Sequence, residues 1–357
     1  MRRILLLVEH TENRRLLAEW LALNYEVLVP ESPTTLDVPF DLGIVDAPSL
    51  ERYGRWIEAI KSATHPVFLP FLAVIPRRGM SSINTGRAWE RVDELIVSPV
   101  EKQELLARVE NLLRGRALSL ANAALRERLE LELERARIVQ CGLLPREAPS
   151  LRGFDLAAQC LPAREVGGDF YDWQAQSDEA VLTVGDVMGK GIPAALLAAT
   201  VRAVLRALAH QNPPSTALDL LRETLCGDLE RTASFVTLFH AHLRAAAHEV
   251  RYVDAGHGHA LVRRSTGLIE HLERGGRPVG FPAAGPYRES ALRLDPGDVL
   301  LVYSDGLCEG RAQLPEQLLA EVEVGGPASA IVEQLIERAP KEETIDDVTV
   351  LVLKCTG

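Results

Sequence analysis

Cysteine is scarce in this chain. Five of the 357 residues are cysteines, and no two of them form a Cys-x-x-Cys pair or stand near a histidine at the spacing of metal ligands. The sequence therefore predicts neither a zinc site nor a framework of disulfide bonds. Thiols without such partners fit a reducing compartment, so we expect the protein to be cytoplasmic.

Positive charge is also in short supply. The 39 Lys and Arg residues are outnumbered by 50 Asp and Glu residues, which gives a formal net charge of -11. A surface of this sign repels nucleic-acid phosphates and anionic lipids, and we expect neither as a partner. The apolar stretch at the N-terminus ends at Glu9-His10 and is too short for a signal peptide, and the sequence predicts no membrane span.

The length of the chain predicts two domains, because a single core rarely extends over so many residues. Residues 1–114 alternate short apolar strands with amphipathic helices, which predicts an α/β domain with a parallel sheet. Residues 115–144 are rich in Leu, Ala, Glu and Arg and contain no proline, which predicts a helical linker. Residues 145–357 hold many strands with helices set apart from them, which predicts an α+β domain.

The N-terminal domain has three landmarks. Its first strand runs into Glu9-His10, Asp46 ends a later strand, and Ser98-Pro99 precedes its last helix. This order resembles a response-regulator receiver domain of flavodoxin-like fold and implies that Asp46 is a candidate phosphoacceptor. The family carries two acids after the first strand and Lys-Pro before the last helix, so phosphoryl transfer to Asp46 would lose much of its charge stabilisation here. We therefore interpret residues 1–114 as a pseudo-receiver used for regulation.

The linker carries a stripe at alternating spacings of four and three. Its members are Leu118, Asn122, Leu125, Leu129, Glu132, Ala136 and Val139. Such a stripe predicts a short coiled coil and a homodimer through the linker helix. Because Glu132 interrupts the stripe, a single amphipathic helix packed on its own C-terminal domain is the open alternative.

Acidic residues follow four apolar strands of the C-terminal domain. The motifs are Gly167-Gly168-Asp169, Gly185-Asp186, Ser304-Asp305-Gly306 and Asp346-Asp347. Carboxylates gathered in one place repel one another unless a cation joins them. Oxygen ligands of this kind suit Mg²⁺ or Mn²⁺, so the pattern predicts a metal site at the strand ends.

The same motifs carry a resemblance that extends over about residues 140–354. In order they read "AREVGGDFYDW", "VGDVMGKGIPAALLA", "DAGHGHALV", "LDPGDVLLVYSDGLCEG" and "DDVTVLVLK". Together they resemble the SpoIIE-type branch of the metal-dependent PPM serine/threonine phosphatases. The resemblance implies an αββα sandwich that binds two Mn²⁺ or Mg²⁺ ions, with a third ion as an option, and that hydrolyses phosphoserine or phosphothreonine on a partner protein.

The resemblance also implies individual roles. Asp186 would bridge both metals and the backbone carbonyl of Val187 would add to one of them, while Asp305 and Asp346 would complete the other site. The catalytic pair is thus Asp186 with Asp305.

Two further acids have less definite metal roles. Asp169 would be an outer or third-metal ligand, and Asp347 could share the duty of Asp346. Arg164 is a candidate for binding phosphate, and Met188 stands where many eukaryotic relatives have a histidine.

The usual substrate in the family is a phosphorylated STAS-domain anti-sigma antagonist, which the resemblance extends to this chain. A catalytically silent scaffold that binds its partner without hydrolysis is the alternative.

His257 and His259 are interpreted as structural residues. Gly189-Lys190-Gly191 is interpreted as a glycine turn, because the spacing of a nucleotide-binding loop is not present.

Overall fold

The computed structural model describes residues 1–33, 38–76, 91–282, 285–308, 315–339 and 346–357. The chain divides into two compact units, Met1–Leu131 and Glu132–Gly357. Each unit has its own sheet structure and its own buried apolar core.

The N-terminal unit contains one parallel sheet. Its strands are β1 (Arg3–Leu7), β2 (Glu26–Leu28), β3 (Leu42–Asp46), β4 (Phe71–Pro76) and β5 (Glu94–Ser98). They lie in the order β2-β1-β3-β4-β5, which is the order of flavodoxin-like sheets. Helices α1 (Thr11–Leu21) and α2 (Ala47–Thr64) follow β1 and β3, and apolar clusters bury side chains on both faces of the sheet.

The last helix of this unit does not end where the sequence predicts a linker. One uninterrupted helix, α3, runs from Lys102 to Leu143 and includes Gly115, at the boundary predicted between domain and linker. A single glycine costs a helix about 1 kcal/mol, which does not outweigh the good helix formers around it. Its buried residues all lie in the first third of the helix. The border between the two compact units falls inside the helix, at Leu131.

The C-terminal unit contains two antiparallel sheets that face each other. The strands are β6 (Phe154–Leu161), β7 (Phe170–Gln176), β8 (Glu179–Val187), β9 (Val236–Arg244), β10 (Glu249–Ala255), β11 (Ala260–Arg263), β12 (Ile269–His271), β13 (Ser290–Arg293), β14 (Val299–Tyr303) and β15 (Val348–Cys355). One sheet has the order β13-β10-β9-β8-β7 and the other the order β12-β11-β14-β15-β6.

Helices cover the outer faces of both sheets. Helices α4 (Ile192–Leu208) and α5 (Pro214–Arg231) share an apolar cluster with the first sheet, and α6 (Pro315–Glu321) and α7 (Ala328–Glu337) share one with the second. Strand β9 illustrates why both faces of a sheet are covered: Phe239 faces the core between the sheets, and the next side chain along the strand toward the N-terminus, Leu238, faces the helices. The layers are therefore the αββα sandwich that the sequence predicts.

Two strands of this unit, β7 and β12, are missing from the sequence-based prediction. In β7 the polar Asp172 interrupts the apolar run, although its side chain is buried. The guanidinium groups of Arg202 and Arg206 on α4 donate to its Oδ1 over 3.1 and 2.6 Å. Pairing with these two arginines allows an acid to be buried inside a strand, and the sequence near Asp172 carries no sign of it.

Helix α4 corrects one prediction made from the sequence, namely that no segment could span a membrane. The segment Ile192–Gln211 is long enough and apolar enough to do so by length and composition. Ala194, Ala198, Val201 and Leu205 of this helix are buried in the cluster shared with the first sheet. A single apolar helix of this kind is weak evidence for a membrane span.

Gly185 gives a direct test of the packing at the end of β8. A Cβ at this position would lie 2.5 Å from Cε1 of Phe170 and 2.7 Å from Cδ2 of Leu238. We expect Gly185→Ala to lower the free energy of unfolding of the C-terminal unit by about 1–3 kcal/mol, because the core must shift to admit the methyl group. Urea unfolding of the full-length protein measures this loss.

Gly142→Ala is the matched control for that substitution. A Cβ at Gly142 would meet nothing within 4 Å, and this glycine lies inside α3. We expect the control to raise stability by about 0.5–1 kcal/mol through helix propensity. Equal destabilisation by the two substitutions would contradict the packing described for Gly185.

Candidate metal centre

Asp186 lies one residue before the end of β8, where the strand still pairs with β9 through Thr237. The loop that ends in Asp169 runs beside this strand end, and Val187 N donates to Gly168 O over 3.3 Å. A Cβ at Gly168 would lie 2.6 Å from the carbonyl oxygen of Val187. A glycine at this position is what lets the two backbones approach so closely.

Asp347 holds the same loop from the other sheet. It precedes β15, and its Oδ1 accepts a hydrogen bond from Ala163 N at 2.7 Å. Its Oδ2 accepts from Gly168 N at 2.6 Å and from Asp169 N at 3.3 Å. Both oxygens of this buried carboxylate are thus bound by backbone amides.

A residue of helix α3 also holds the loop that ends in Asp169. The side-chain amide of Gln140 donates to Gly167 O over 2.7 Å and accepts from Gly167 N over 3.1 Å. Gln140 and Gly167 both belong to the C-terminal unit. Gly167, two residues before Asp169, is therefore held through both its N–H and its C=O group.

Asp305 and Asp346 come together through their backbones. Asp305 begins a short 3-10 turn after β14, and Gly306 in that turn lies against the backbone carbonyl groups of Asp346 and Asp347. Ser304 Oγ donates to Asp347 O over 3.1 Å and accepts from Thr349 N over 2.8 Å. The turn that presents Asp305 is thus attached to the segment that presents Asp346.

The side chains of these two acids are more accessible than that of Asp347. Asp305 is exposed and Asp346 is half-buried. Oδ1 of Asp346 accepts a hydrogen bond from Asp347 N at 3.0 Å, and its Oδ2 lies 3.0 Å from Nζ of Lys190.

Electrostatic shifts show that the acids share one region. Burial, together with the charges of Asp305, Asp346 and Asp347, raises the pKa of Asp186 to about 7, although the charge of Lys190 acts in the opposite direction. Burial also raises the pKa of Asp169 well above its ordinary value, with the charge of Asp186 as the second cause. Each carboxylate therefore makes the ionisation of its neighbours more costly, as expected of acids that need a cation.

The residues supply the type of ligand that a hard divalent cation prefers. The donors are carboxylate oxygens, and Oδ2 of the buried Asp169 has no hydrogen-bond partner in the described structure. Among the described residues, however, no three acidic, imidazole or thiol side chains stand close enough together to form a ligand cluster. The acids are thus neighbours at one end of the sandwich without forming a closed ligand cluster among the described residues.

The remaining predicted residues divide between this region and others. Arg164 is exposed, whereas Val166, two residues further along the chain, is buried. His257 is buried, its Nδ1 lies 3.2 Å from the hydroxyl of Thr237, and burial lowers its pKa to about 3, as expected of a structural residue. His259 is different, because the charge of Asp305 partly offsets the lowering of its pKa by burial and so places it near that acid.

Asp46 lies in the N-terminal unit at the end of β3. Its Oδ1 accepts a hydrogen bond from Ser49 N at 3.0 Å, which caps α2, and its Oδ2 accepts from Glu9 N at 2.7 Å. Both oxygens of the candidate phosphoacceptor are therefore engaged by backbone amides.

Comparison with known proteins places this geometry in a family. The family described as Stage II sporulation protein E (SpoIIE) matches residues 176–356, just over half of the chain. Protein IcfG of Synechocystis sp. is 27% identical over 261 residues, which cover 62% of this chain and 41% of IcfG. Phosphoserine phosphatase RsbU of Bacillus subtilis is 27% identical over 241 residues, which cover 64% of this chain and 72% of RsbU. The match thus spans about two fifths of the length of IcfG.

A solved structure agrees with the fold. The SiaA-PP2C domain of Pseudomonas aeruginosa superposes with a TM-score of 0.56 at 21% identity and covers 65% of this chain and 99% of its own. The matched family region carries Asp186, Asp305 and Asp346 at the ends of strands of an αββα sandwich. The chain therefore belongs to the SpoIIE family, within the metal-dependent PPM-type serine/threonine phosphatases.

Proposed function

We propose that this protein is a metal-dependent phosphatase that removes phosphate from serine or threonine of a partner protein. The observation that carries the proposal is the gathering of Asp169, Asp186, Asp305 and Asp346 at one end of a SpoIIE-family sandwich, with raised pKa values at the two most buried of them. Acids with these properties are suited to binding Mn²⁺ or Mg²⁺ and are poorly suited to remaining without a counter-charge.

The residues have separate tasks in this proposal. Asp186 and Asp305 are the catalytic pair, because they come from different sheets and can hold ions between them. Asp346 is the ligand from the start of β15, and the two carboxylate oxygens of Asp347 serve the loop that presents Asp169. Val187 adds its backbone carbonyl. Two bound ions, or three, would neutralise phosphate charge and make a bound water more acidic.

The substrate is a phosphorylated protein, and the resemblance favours a STAS-domain partner. A relative that carries the name phosphoserine phosphatase, RsbU, supports the bond type. Arg164, exposed next to the loop that ends in Asp169, is the proposed contact for the substrate phosphate. In the pseudo-receiver, both oxygens of Asp46 are bound by amides, which favours a regulatory binding role over phosphoryl transfer.

Substitution of the catalytic pair tests the proposal. We expect the full-length protein to hydrolyse p-nitrophenyl phosphate and a phosphoserine peptide when Mn²⁺ is added. Asp186→Asn and Asp305→Asn should each lower the rate by about 100-fold, because each removes a charged ligand at the reacting centre. Phosphate release with and without Mn²⁺ measures the effect.

Asp228→Asn is the control for charge removal. Asp228 is exposed on α5 and pairs with Arg231 on the same helix. We expect this variant to keep the rate of the unsubstituted protein. Hydrolysis that survives both substitutions of the catalytic pair would overturn the proposal, and a wild-type protein that binds the phosphopeptide without hydrolysis would favour the silent scaffold.

The raised pKa of Asp186 predicts how stability depends on pH. Between the ordinary aspartate pKa and about 7, the folded protein holds a proton on Asp186 that the unfolded chain releases. Chelator-treated protein should therefore lose stability as the pH rises through this window, by up to about 1.4 kcal/mol per pH unit for one such proton. Urea unfolding at several pH values measures the slope.

Asp186→Asn separates this effect from the other titrating groups. Because the amide does not ionise, we expect the variant to show a shallower loss of stability between pH 5 and pH 7.5. Added Mn²⁺ should reverse the trend for the unsubstituted protein, since the ion binds the deprotonated carboxylates. Identical slopes for variant and unsubstituted protein would show that Asp186 has an ordinary pKa.

The exposed stripe on α3 supports a homodimer. Leu118, Leu125, Leu129 and Val139 are each more than half exposed. Residues at these spacings can cover one another in a paired helix. The proposal includes regulation through this pairing.

Leu129→Asp tests the dimer. We expect it to shift the sedimentation equilibrium of the full-length protein toward monomer, because it puts a charge at the predicted seam. Leu131 is equally exposed, at 55% against 54%, but lies outside the stripe. Leu131→Asp should therefore leave the equilibrium unchanged, and an equal effect of both variants would rule out the predicted seam.

A further inference from the structure

Lys190 lies on the turn between β8 and α4, four residues after Asp186. The glycines on either side of it have positive φ angles, +106° at Gly189 and +73° at Gly191. A Cβ at either glycine would meet nothing within 4 Å, so the glycines serve the path of the backbone and do not relieve crowding. This path brings the lysine side chain to the acidic end of the sandwich.

The ammonium group of Lys190 acts on two of the acids. Its Nζ lies 3.0 Å from Oδ2 of Asp346, and its charge lowers the pKa of Asp186. The side chains of Lys190 and Asp346 are 36% and 31% exposed, so water reaches the pair. An ion pair of this exposure is weak enough to open readily.

We propose that Lys190 is an internal counter-cation that competes with the divalent ion for Asp346 and so sets the metal affinity of the site. The inference rests on the proposed function, because it takes Asp346 as a metal ligand. A divalent ion and an ammonium group held against the same carboxylate repel each other at short range. Binding of the ion at Asp346 therefore weakens the contact of Lys190 with this carboxylate and favours its turning away.

The lysine can turn away at low cost. Its flexible chain ends in a strongly hydrated ammonium group, which water can solvate once it leaves the carboxylate. Lys190 thus weakens metal binding by a moderate factor and does not prevent it. Its positive charge also limits the repulsion among the acids.

Binding of Mn²⁺ to chelator-treated full-length protein tests the proposal. Isothermal titration calorimetry should give a dissociation constant for Lys190→Gln that is about two- to fivefold lower than for the unsubstituted protein, as expected for removal of an exposed ion pair. Lys190→Arg, which keeps the charge, should bind Mn²⁺ no more tightly than the unsubstituted protein. Without Mn²⁺, Lys190→Gln should melt at a lower temperature.

Lys354→Gln is the matched control, because it removes the same charge from the same unit. Nζ of Lys354 donates to the backbone carbonyl groups of Gly325 and Gly326, and no acid among the described residues pairs with it. We expect this variant to bind Mn²⁺ with unchanged affinity. A similar gain in both lysine variants would mean that net charge alone is responsible and would overturn the proposal.

The remaining outcomes separate the two proposals. Unchanged or weaker Mn²⁺ binding by Lys190→Gln, with normal binding by the unsubstituted protein, would overturn the competition and leave the proposed phosphatase intact. Failure of the unsubstituted protein to bind Mn²⁺ would instead overturn the metal-dependent function itself. Asp346→Asn should weaken binding in either background if Asp346 is a ligand.

Discussion

The hydrogen bonds of the Asp347 carboxylate are the constraint on which the acidic end of the sandwich depends. They join the start of the last strand to Ala163, Gly168 and Asp169, a segment that belongs to a distant part of the chain. Charge-assisted bonds of this kind are stronger than neutral ones, and burial keeps water from competing for them. With the loop fixed in this way, Asp169 stands where the charges of Asp186 and Asp347 both reach it.

The site is shared between the two sheets. Asp186 comes from the first sheet, while Asp305 and Asp346 come from ends of neighbouring strands of the second. Glycines at positions 168, 185 and 306 allow backbone and core side chains to approach one another where a Cβ would collide. The packing of the sandwich therefore brings the acids together, and burial together with their mutual repulsion raises the pKa of Asp186.

Part of this arrangement is readable from the sequence. Strands β6 and β14 can be recognised in the sequence, because their apolar runs are unbroken and turn residues flank them. Asp186 and Asp305 lie at the end of the strand that comes before them, as predicted, whereas Asp169 and the Asp346-Asp347 pair precede β7 and β15, so the prediction is wrong for these. The family match confirms the phosphatase domain. Strand β7 could not be recognised from the sequence, because the arginines that pair with Asp172 lie on a later helix. The pairing of Lys190 with Asp346 joins residues too far apart in the chain for any local pattern to reveal it. The distinct contacts of Asp346 and Asp347 also depend on tertiary structure alone.

The pair of hydrogen bonds between Gln140 and Gly167 has a mechanical meaning. Two bonds from one planar amide to the N–H and the C=O of a single residue define a separation and also an orientation. The final turns of the long helix and the glycine loop consequently behave as one piece: a rotation of those turns either drags the loop along or breaks both bonds. Because the loop ends at Asp169, whose Oδ2 has no hydrogen-bond partner among the described residues, a rotation of the helix that moves the loop would also move this carboxylate.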